Sequence, residues 1–141
     1  MRGFTMVELA ITILILGMLF AMGIPAISAM SQSQQLNANV QNIAAQLRMA
    51  RQRAISIGSG QTMHFTLNYM DADYHIHNGT YIPAKWSLSN GITYYWGAGT
   101  SSVYVMQPDG TCNTSAMVIL QNMRGARDTV SVQLSGLVLT K

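Results

Sequence analysis

The chain has 141 residues, which is long enough for one compact domain and one further segment. It is unusually apolar, because 49% of its residues are hydrophobic and only 9% are charged, against about 25% charged in an average soluble domain. The net charge of +3 falls short of the basic excess of a dedicated nucleic-acid-binding protein, and the one cysteine excludes an internal disulfide.

The apolar residues are concentrated near the N-terminus. No Asp, Glu, Lys or Arg lies between Glu8 and Arg48, and Leu9–Ala29 is an almost uninterrupted apolar run. As a helix this run would be about 30 Å long, which matches the thickness of a bilayer core. A plain membrane anchor is one interpretation. A cleaved secretory signal, with Arg2 as its basic start and a cut near 26–28, is another.

Neither interpretation explains Glu8, which stands at the start of the apolar run. A charge in hydrocarbon costs about 2.5–3.5 kcal/mol even on the lenient insertion scales. A secretory signal also avoids an acidic residue at the beginning of its apolar core. We therefore expect the Glu8 carboxylate to have a specific use.

The stretch GFTMVE, residues 3–8, resembles the processing site of type IV prepilins and of pseudopilins. The resemblance implies that a prepilin peptidase removes the leader 1–3 by cutting after Gly3 and then methylates the new amino group of Phe4. It also implies that Glu8 pairs with the amino group of a neighbouring subunit in a filament. An isolated buried carboxylate is costly, and a pairing amine offsets that cost only when two subunits assemble. The pair would therefore set the axial register of the subunits in the filament.

Gly17 and Pro25 lie where such helices carry a helix-weakening glycine and a kinking proline. Pro25 removes a backbone donor and clashes with the carbonyl group of Ala21, so we expect a kink or a local loosening there. The resemblance implies that residues 4–30 cross the bacterial inner membrane once before assembly and lie in the filament core afterwards.

A helical period continues beyond the apolar run. Apolar side chains recur at steps of four and three residues, at Leu36, Val40, Ile43, Leu47, Ala50 and Ala54. We expect an amphipathic continuation of the same helix over 31–57, ended by glycine at 58 and 60. We interpret Arg48, Arg51 and Arg53 as a solvated face, with a patch for phosphate or anionic lipid as the alternative.

The remainder, 58–141, has the pattern of β-strands. Residues 61–69 partly alternate between apolar and polar side chains, and Asn78-Gly79 is a strong hairpin signal between 74–77 and 80–82. Further strands are predicted at 92–96, 103–106, 116–121, 129–134 and 137–140. The predicted fold is α+β, with a long N-terminal helix packed on an antiparallel two-sheet β head.

Three stretches make the chain similar to the GspH/FimT-like family of minor pilins and pseudopilins. They are IAAQLRMAR at 43–51, QPDGT at 107–111 and VSVQLSGLV at 130–138. The resemblance implies a low-abundance structural subunit near the tip of a type IV pilus or of a type II secretion pseudopilus. Its head would lie in the periplasm, and its partners would be prepilin peptidase, the inner membrane and other pilins.

Two alternative functions remain open. Some relatives in competent bacteria bind DNA, and here the contacts would come from Arg48, Arg51, Arg53, Arg124, Arg127 and Lys141. Where relatives often have Gly-Arg-Val, this chain has Gly136-Leu137-Val138, which argues against DNA binding. The second alternative is a major subunit. We favour a minor one, because the head has neither a disulfide nor a calcium loop to stabilise it.

The candidate chemical sites are weak. His75 and His77 lie two residues apart, with His64, Asp71 and Asp73 near them in sequence, a set that resembles Zn²⁺ ligands. We favour half-exposed histidines beside a hairpin, with no metal site and no cofactor. Tyr94-Tyr95-Trp96 is interpreted as core rather than as a platform for bases. The sequence has no recognisable phosphate loop, carboxylate pair or catalytic triad, so we do not expect an enzyme.

Overall fold

A computed structural model describes residues 5–69, 71–79 and 81–141. Within these ranges it does not describe the side chains of 22–26, Tyr81 and Pro83. Over these ranges the chain forms a single helix followed by eight strands. They are α1 (Met6–Ile57), β1 (Gln61–Tyr69), β2 (Ala72–Asn78), β3 (Tyr81–Trp86), β4 (Ile92–Tyr95), β5 (Val103–Met106), β6 (Ala116–Asn122), β7 (Arg127–Val132) and β8 (Val138–Thr140).

The helix α1 is continuous over 52 residues. Thr5 is its N-cap, and Gly58 ends it with a φ of 67°, in the left-handed region that glycine adopts without steric cost. The structure therefore places the end of the helix at the glycine that the sequence indicates.

The strands form two antiparallel four-stranded sheets. The strand order is β3-β2-β1-β5 in the first sheet and β4-β6-β7-β8 in the second. The back half of α1 packs against strands of both sheets, chiefly β1 in the first and β6, β7 and β8 in the second. The predicted architecture of a long helix on a two-sheet β head is confirmed.

The predicted apolar stripe of α1 forms one side of the core. Its six residues, from Leu36 to Ala54, are at most 5% exposed. Opposite them lies Phe65, whose ring contacts the rings of Tyr74, Tyr94 and Tyr104 at centroid distances of 5.7–6.0 Å. This burial makes the back half of the helix and the head a single folded unit.

The interpretation of 94–96 as core was wrong for two of the three residues. Tyr94 is buried, whereas Tyr95 is 37% exposed and Trp96 is 45% exposed. Neighbouring strand residues point to opposite faces, and β4 already ends at Tyr95. The guanidinium carbon of Arg127 lies 3.5 Å from the centre of the Tyr95 ring, so this ring is covered by a cation.

Candidate functional site

The front of α1 presents apolar side chains on all sides. Every residue from Thr5 to Ala21 is exposed, including Ile13 and Phe20, which are more than half exposed. A helix that is apolar all round is normally buried in a membrane or inside a larger assembly. An exposed apolar surface of this extent is also unusual for a soluble monomer. The front of α1 therefore requires an apolar partner.

Among the described residues, no helical stretch is both long enough and apolar enough to cross a membrane. The predicted span Leu9–Ala29 includes positions 22–26, whose side chains lie outside the described portion of the chain. The membrane span stays a prediction.

The other predicted features of the N-terminal segment are only partly within the described residues. Gly3 and Phe4 lie outside them, so cleavage and methylation stay predictions. Gly17 lies inside the helix, and a Cβ built there would meet nothing within 4 Å. The side chain of Pro25 is not described, and the predicted kink stays a prediction.

Glu8 closes a capping box at the start of α1. Its Oε2 accepts hydrogen bonds from the Thr5 backbone N–H at 3.0 Å and from the Thr5 hydroxyl at 3.1 Å. In return, the Glu8 backbone N–H donates to the Thr5 hydroxyl oxygen at 3.3 Å. This role was not predicted from the sequence, although Thr-Met-Val-Glu fits the capping-box pattern. Glu8 therefore has a structural use within the isolated chain.

Two of the three arginines that were interpreted as a solvated face bind carbonyl groups of the head instead. Arg48 donates through Nη2 to the Val138 carbonyl oxygen at 3.1 Å. Arg51 donates through Nε to the Gly110 carbonyl oxygen at 2.8 Å and through Nη2 to that of Ser135 at 3.3 Å. These bonds use donors that a phosphate would need. Arg48 joins α1 to β8, and Arg51 joins α1 to the two turns that carry Gly110 and Ser135.

The contacts of Arg51 bring together the three sequence stretches on which the resemblance to minor pilins rests. Gly110 of QPDGT and Gly136 of VSVQLSGLV meet beside the arginine that ends IAAQLRMAR. A Cβ built at Gly136 would overlap the Gly110 carbonyl oxygen and would lie 2.8 Å from Arg51 Nε. The φ of Gly136 is 75°, which also disfavours a side chain. Only glycine fits this position without a shift of the backbone.

Other hydrogen bonds between α1 and the head lie nearer the front of the helix. Arg124 donates through Nη2 to the Ser28 hydroxyl at 2.8 Å. The buried Asn39 donates to the Ser89 hydroxyl at 2.9 Å and accepts from the Ser89 backbone N–H at 3.2 Å. Ser28 and Arg51 are separated by about 35 Å along a helix. Arg124 and Arg51 therefore do not belong to one basic patch.

Three histidines meet on the face of the first sheet that lies away from the core, and the expectation of half-exposed rings was wrong for His75, which is buried. His64 on β1 lies directly opposite His75 on β2, and His77 lies two residues further along the same face. The ring centroids are 5.3 Å apart for His64 and His75, 4.7 Å for His64 and His77, and 5.9 Å for His75 and His77. The planes of His64 and His75 differ by 2°, so these two rings stack.

The aspartates that the sequence placed near these histidines have other positions. The Asp73 carboxylate accepts hydrogen bonds from the backbone N–H groups of Asn68 at 3.1 Å and Leu88 at 2.8 Å. Asp71 lies in the turn between β1 and β2, with a φ of 61°. With the rings as they stand, no group of three or more potential ligands in the described chain is arranged to hold a metal ion.

The environment keeps two of the imidazoles neutral. Burial lowers the pKa of His64, and the neighbouring His77 and His75 lower it further. Burial also lowers the pKa of His75, with His77 as the second cause. An unperturbed histidine has a pKa of about 6.5, so a lowered pKa favours the neutral form of both rings at pH 7.

No protein-family model and no curated protein matches the chain, but solved structures do. The type IV minor pilin FimU of Pseudomonas aeruginosa matches with a TM-score of 0.63 and 13% identity, covering 79% of this chain and 92% of FimU. The fold is that of a minor pilin. The minor pseudopilin EpsH from the type 2 secretion system of Vibrio cholerae matches with a TM-score of 0.56 and 13% identity, covering 76% of this chain and 96% of EpsH.

Proposed function

We propose that this chain is a minor structural subunit of a type IV pilus or of a type II secretion pseudopilus. The observation that carries the proposal is the exposed apolar front of α1, which continues without a break into a back half buried in the head. The front would lie in the bacterial inner membrane before assembly and among other subunits' helices afterwards. Both environments are apolar, so the transfer has little hydrophobic cost.

The likeness in fold to FimU and EpsH supports this role. The polar ties of α1 to the head support it as well, because they hold the head at a fixed place relative to the exposed front. A subunit that must fit between neighbours in a filament requires such a fixed relation. We propose a structural and not a catalytic role, with the head in the periplasm.

We further propose that a prepilin peptidase prepares the N-terminus by cutting after Gly3 and methylating Phe4. Thr5 and Glu8 remain in the processed chain, so the capping box persists. Both hydrogen bonds from Thr5 end on Oε2 of Glu8, and within the described residues Oε1 accepts none. An ionised carboxylate has acceptor sites on both oxygens. Oε1 is therefore suited to pair with the Phe4 amino group of a neighbouring subunit.

We do not propose DNA binding. Arg48 and Arg51 donate to carbonyl groups of the head, and Arg127 lies over the Tyr95 ring. Phosphate contacts dominate DNA affinity, and they require several available cations along one track.

The test is mass spectrometry of the N-terminal peptide of the membrane-bound chain. The chain is isolated from one bacterial strain with an active prepilin peptidase and from one in which this enzyme is inactivated. We expect a peptide that begins at N-methylated Phe4 with the active enzyme, and an intact leader with the inactive one. A chain that keeps Met1 in both strains, or one cut near Ser28 in both, would contradict the proposal. The inactivated strain is the matched control for cleavage by other proteases.

A further inference from the structure

The histidine cluster on the first sheet is independent of the proposed filament role. His64, His75 and His77 alternate with core residues, so all three side chains leave the sheet on the face opposite the core. Directly opposite residues on antiparallel strands have Cβ atoms about 4.5–5.5 Å apart. Two histidines in alternation on one strand, with a third facing them from the next strand, can direct three imidazoles toward one point.

One ring of the cluster is already oriented by a hydrogen bond. His77 Nδ1 lies 2.8 Å from the Gly79 carbonyl oxygen. A carbonyl oxygen only accepts, so Nδ1 donates this hydrogen bond, and Nε2 is the nitrogen left to face a metal ion. A hydrogen bond of this kind is the usual means of fixing a metal-binding imidazole.

We propose that His64, His75 and His77 form a binding site for one divalent transition-metal ion, Zn²⁺ or Ni²⁺. Imidazole nitrogen is a preferred ligand for both ions, and three histidines are a known zinc set.

Binding requires the stacked rings to turn until their nitrogens converge. The three rings, with Thr66 and Tyr69, line an open cavity of about 400 Å³, and the Tyr69 ring, whose centroid lies 5.1 Å from that of His75, must move when His75 turns. Ring stacking is a weak contact, and imidazole–metal bonds are much stronger. Lys85 on β3 is the cross-strand neighbour of His75, and a positive charge at this position opposes a bound cation. We therefore expect weaker binding than at a closed four-ligand site.

The test is calorimetric titration with Zn²⁺ and Ni²⁺ of the full chain, without a histidine tag, in detergent micelles after chelator treatment. At pH 7 we expect saturable binding of one ion per chain. We expect each of His64→Gln, His75→Gln and His77→Gln to weaken metal binding by about tenfold or more. Removal of a group that only supports a metal ligand already weakens binding by that factor, and these substitutions remove a ligand itself. Asp71→Asn is the matched control. It removes a carboxylate from the turn between β1 and β2, at a position whose positive φ asparagine tolerates, and it should not change metal binding.

Nitrogen NMR of the labelled histidines in the unmodified chain provides a measurement that needs no variant. We expect all three imidazoles to shift with the added ion and to stop shifting at one equivalent. The proposal is overturned if no saturable binding occurs, if fewer than three imidazoles respond, or if the three histidine variants bind as tightly as Asp71→Asn.

Discussion

Glu8 takes part in the capping box of α1 and, in the proposed filament, in a pair with a neighbouring amino group. Glu8→Gln keeps a side-chain oxygen for the Thr5 N–H but removes the charge, whereas Glu8→Ala removes both. We expect both variants to reach the membrane and both to be depleted in filaments, because the pair depends on charge. The measurement is the ratio of filament-bound to membrane-bound chain by immunoblot. Wild-type incorporation of Glu8→Gln would limit Glu8 to its capping role.

Substitution of Gly136 tests the close contact between Arg51 and the two turns of the head. Gly136→Ala should lower the free energy of unfolding by about 2–4 kcal/mol, because it adds overpacking to the left-handed strain of about 1–2 kcal/mol. Gly58→Ala is the matched control, since a Cβ there would have the same strain but would meet nothing within 4 Å. Urea unfolding of the full chain in micelles, followed by tryptophan fluorescence, would measure both. Equal losses would contradict the close contact at Gly136.

At the scale of the helix, the two halves of α1 should respond differently to truncation of a side chain. Ile43 is fully buried in the core, whereas Ile13 is 61% exposed. Ile43→Ala should therefore cost the head about 2–5 kcal/mol of unfolding free energy, and Ile13→Ala should change it by about 0.5 kcal/mol or less. The same urea experiment applies. A large effect of Ile13→Ala on the head would show that the front of α1 contributes to head stability.

At the scale of the first sheet, the histidine cluster predicts a loss of stability in acid. Stability rises with pH wherever the unfolded chain binds more protons than the folded one. Unfolded histidine titrates near pH 6.5, and in the folded chain burial and neighbouring imidazoles lower the pKa of His64 and His75. The unfolded chain therefore binds more protons below about pH 6.5, and stability falls as the pH drops through that range.

Thermal unfolding at about pH 7.5 and about pH 5.5, on either side of the histidine range, would measure this loss in the presence of a chelator. We expect a lower Tm at the acidic value, and we expect His64→Gln to reduce the difference. Asp71→Asn should leave the difference unchanged, since it removes no imidazole. Equal Tm values for the unmodified chain at the two pH values would contradict the neutral state of the cluster.

At the scale of the whole molecule, the sequence predicted what depends on local periodicity. The buried stripe of α1 and the bounds of β1 and β5 follow from the spacing of apolar side chains, and the structure confirms them. The contact between Arg51 and Gly136 could not be predicted, since it arises only when two turns and the helix pack together. The place of His64 opposite His75 depends on strand register, which the hairpin signal alone does not give.

The proposed role as a minor subunit rests on the modest size of the folded unit, which consists of the head with the back half of α1 and has no disulfide to stabilise it. Such a head suits a subunit that is present in a few copies and is supported by different neighbours.

The most direct measurement is quantitative mass spectrometry of sheared filaments from bacteria that express this chain. We predict a peptide that begins at N-methylated Phe4, present at a few copies per filament beside a far more abundant major subunit. Absence of the chain from the filaments, or its presence there as the dominant subunit, would contradict the proposed role.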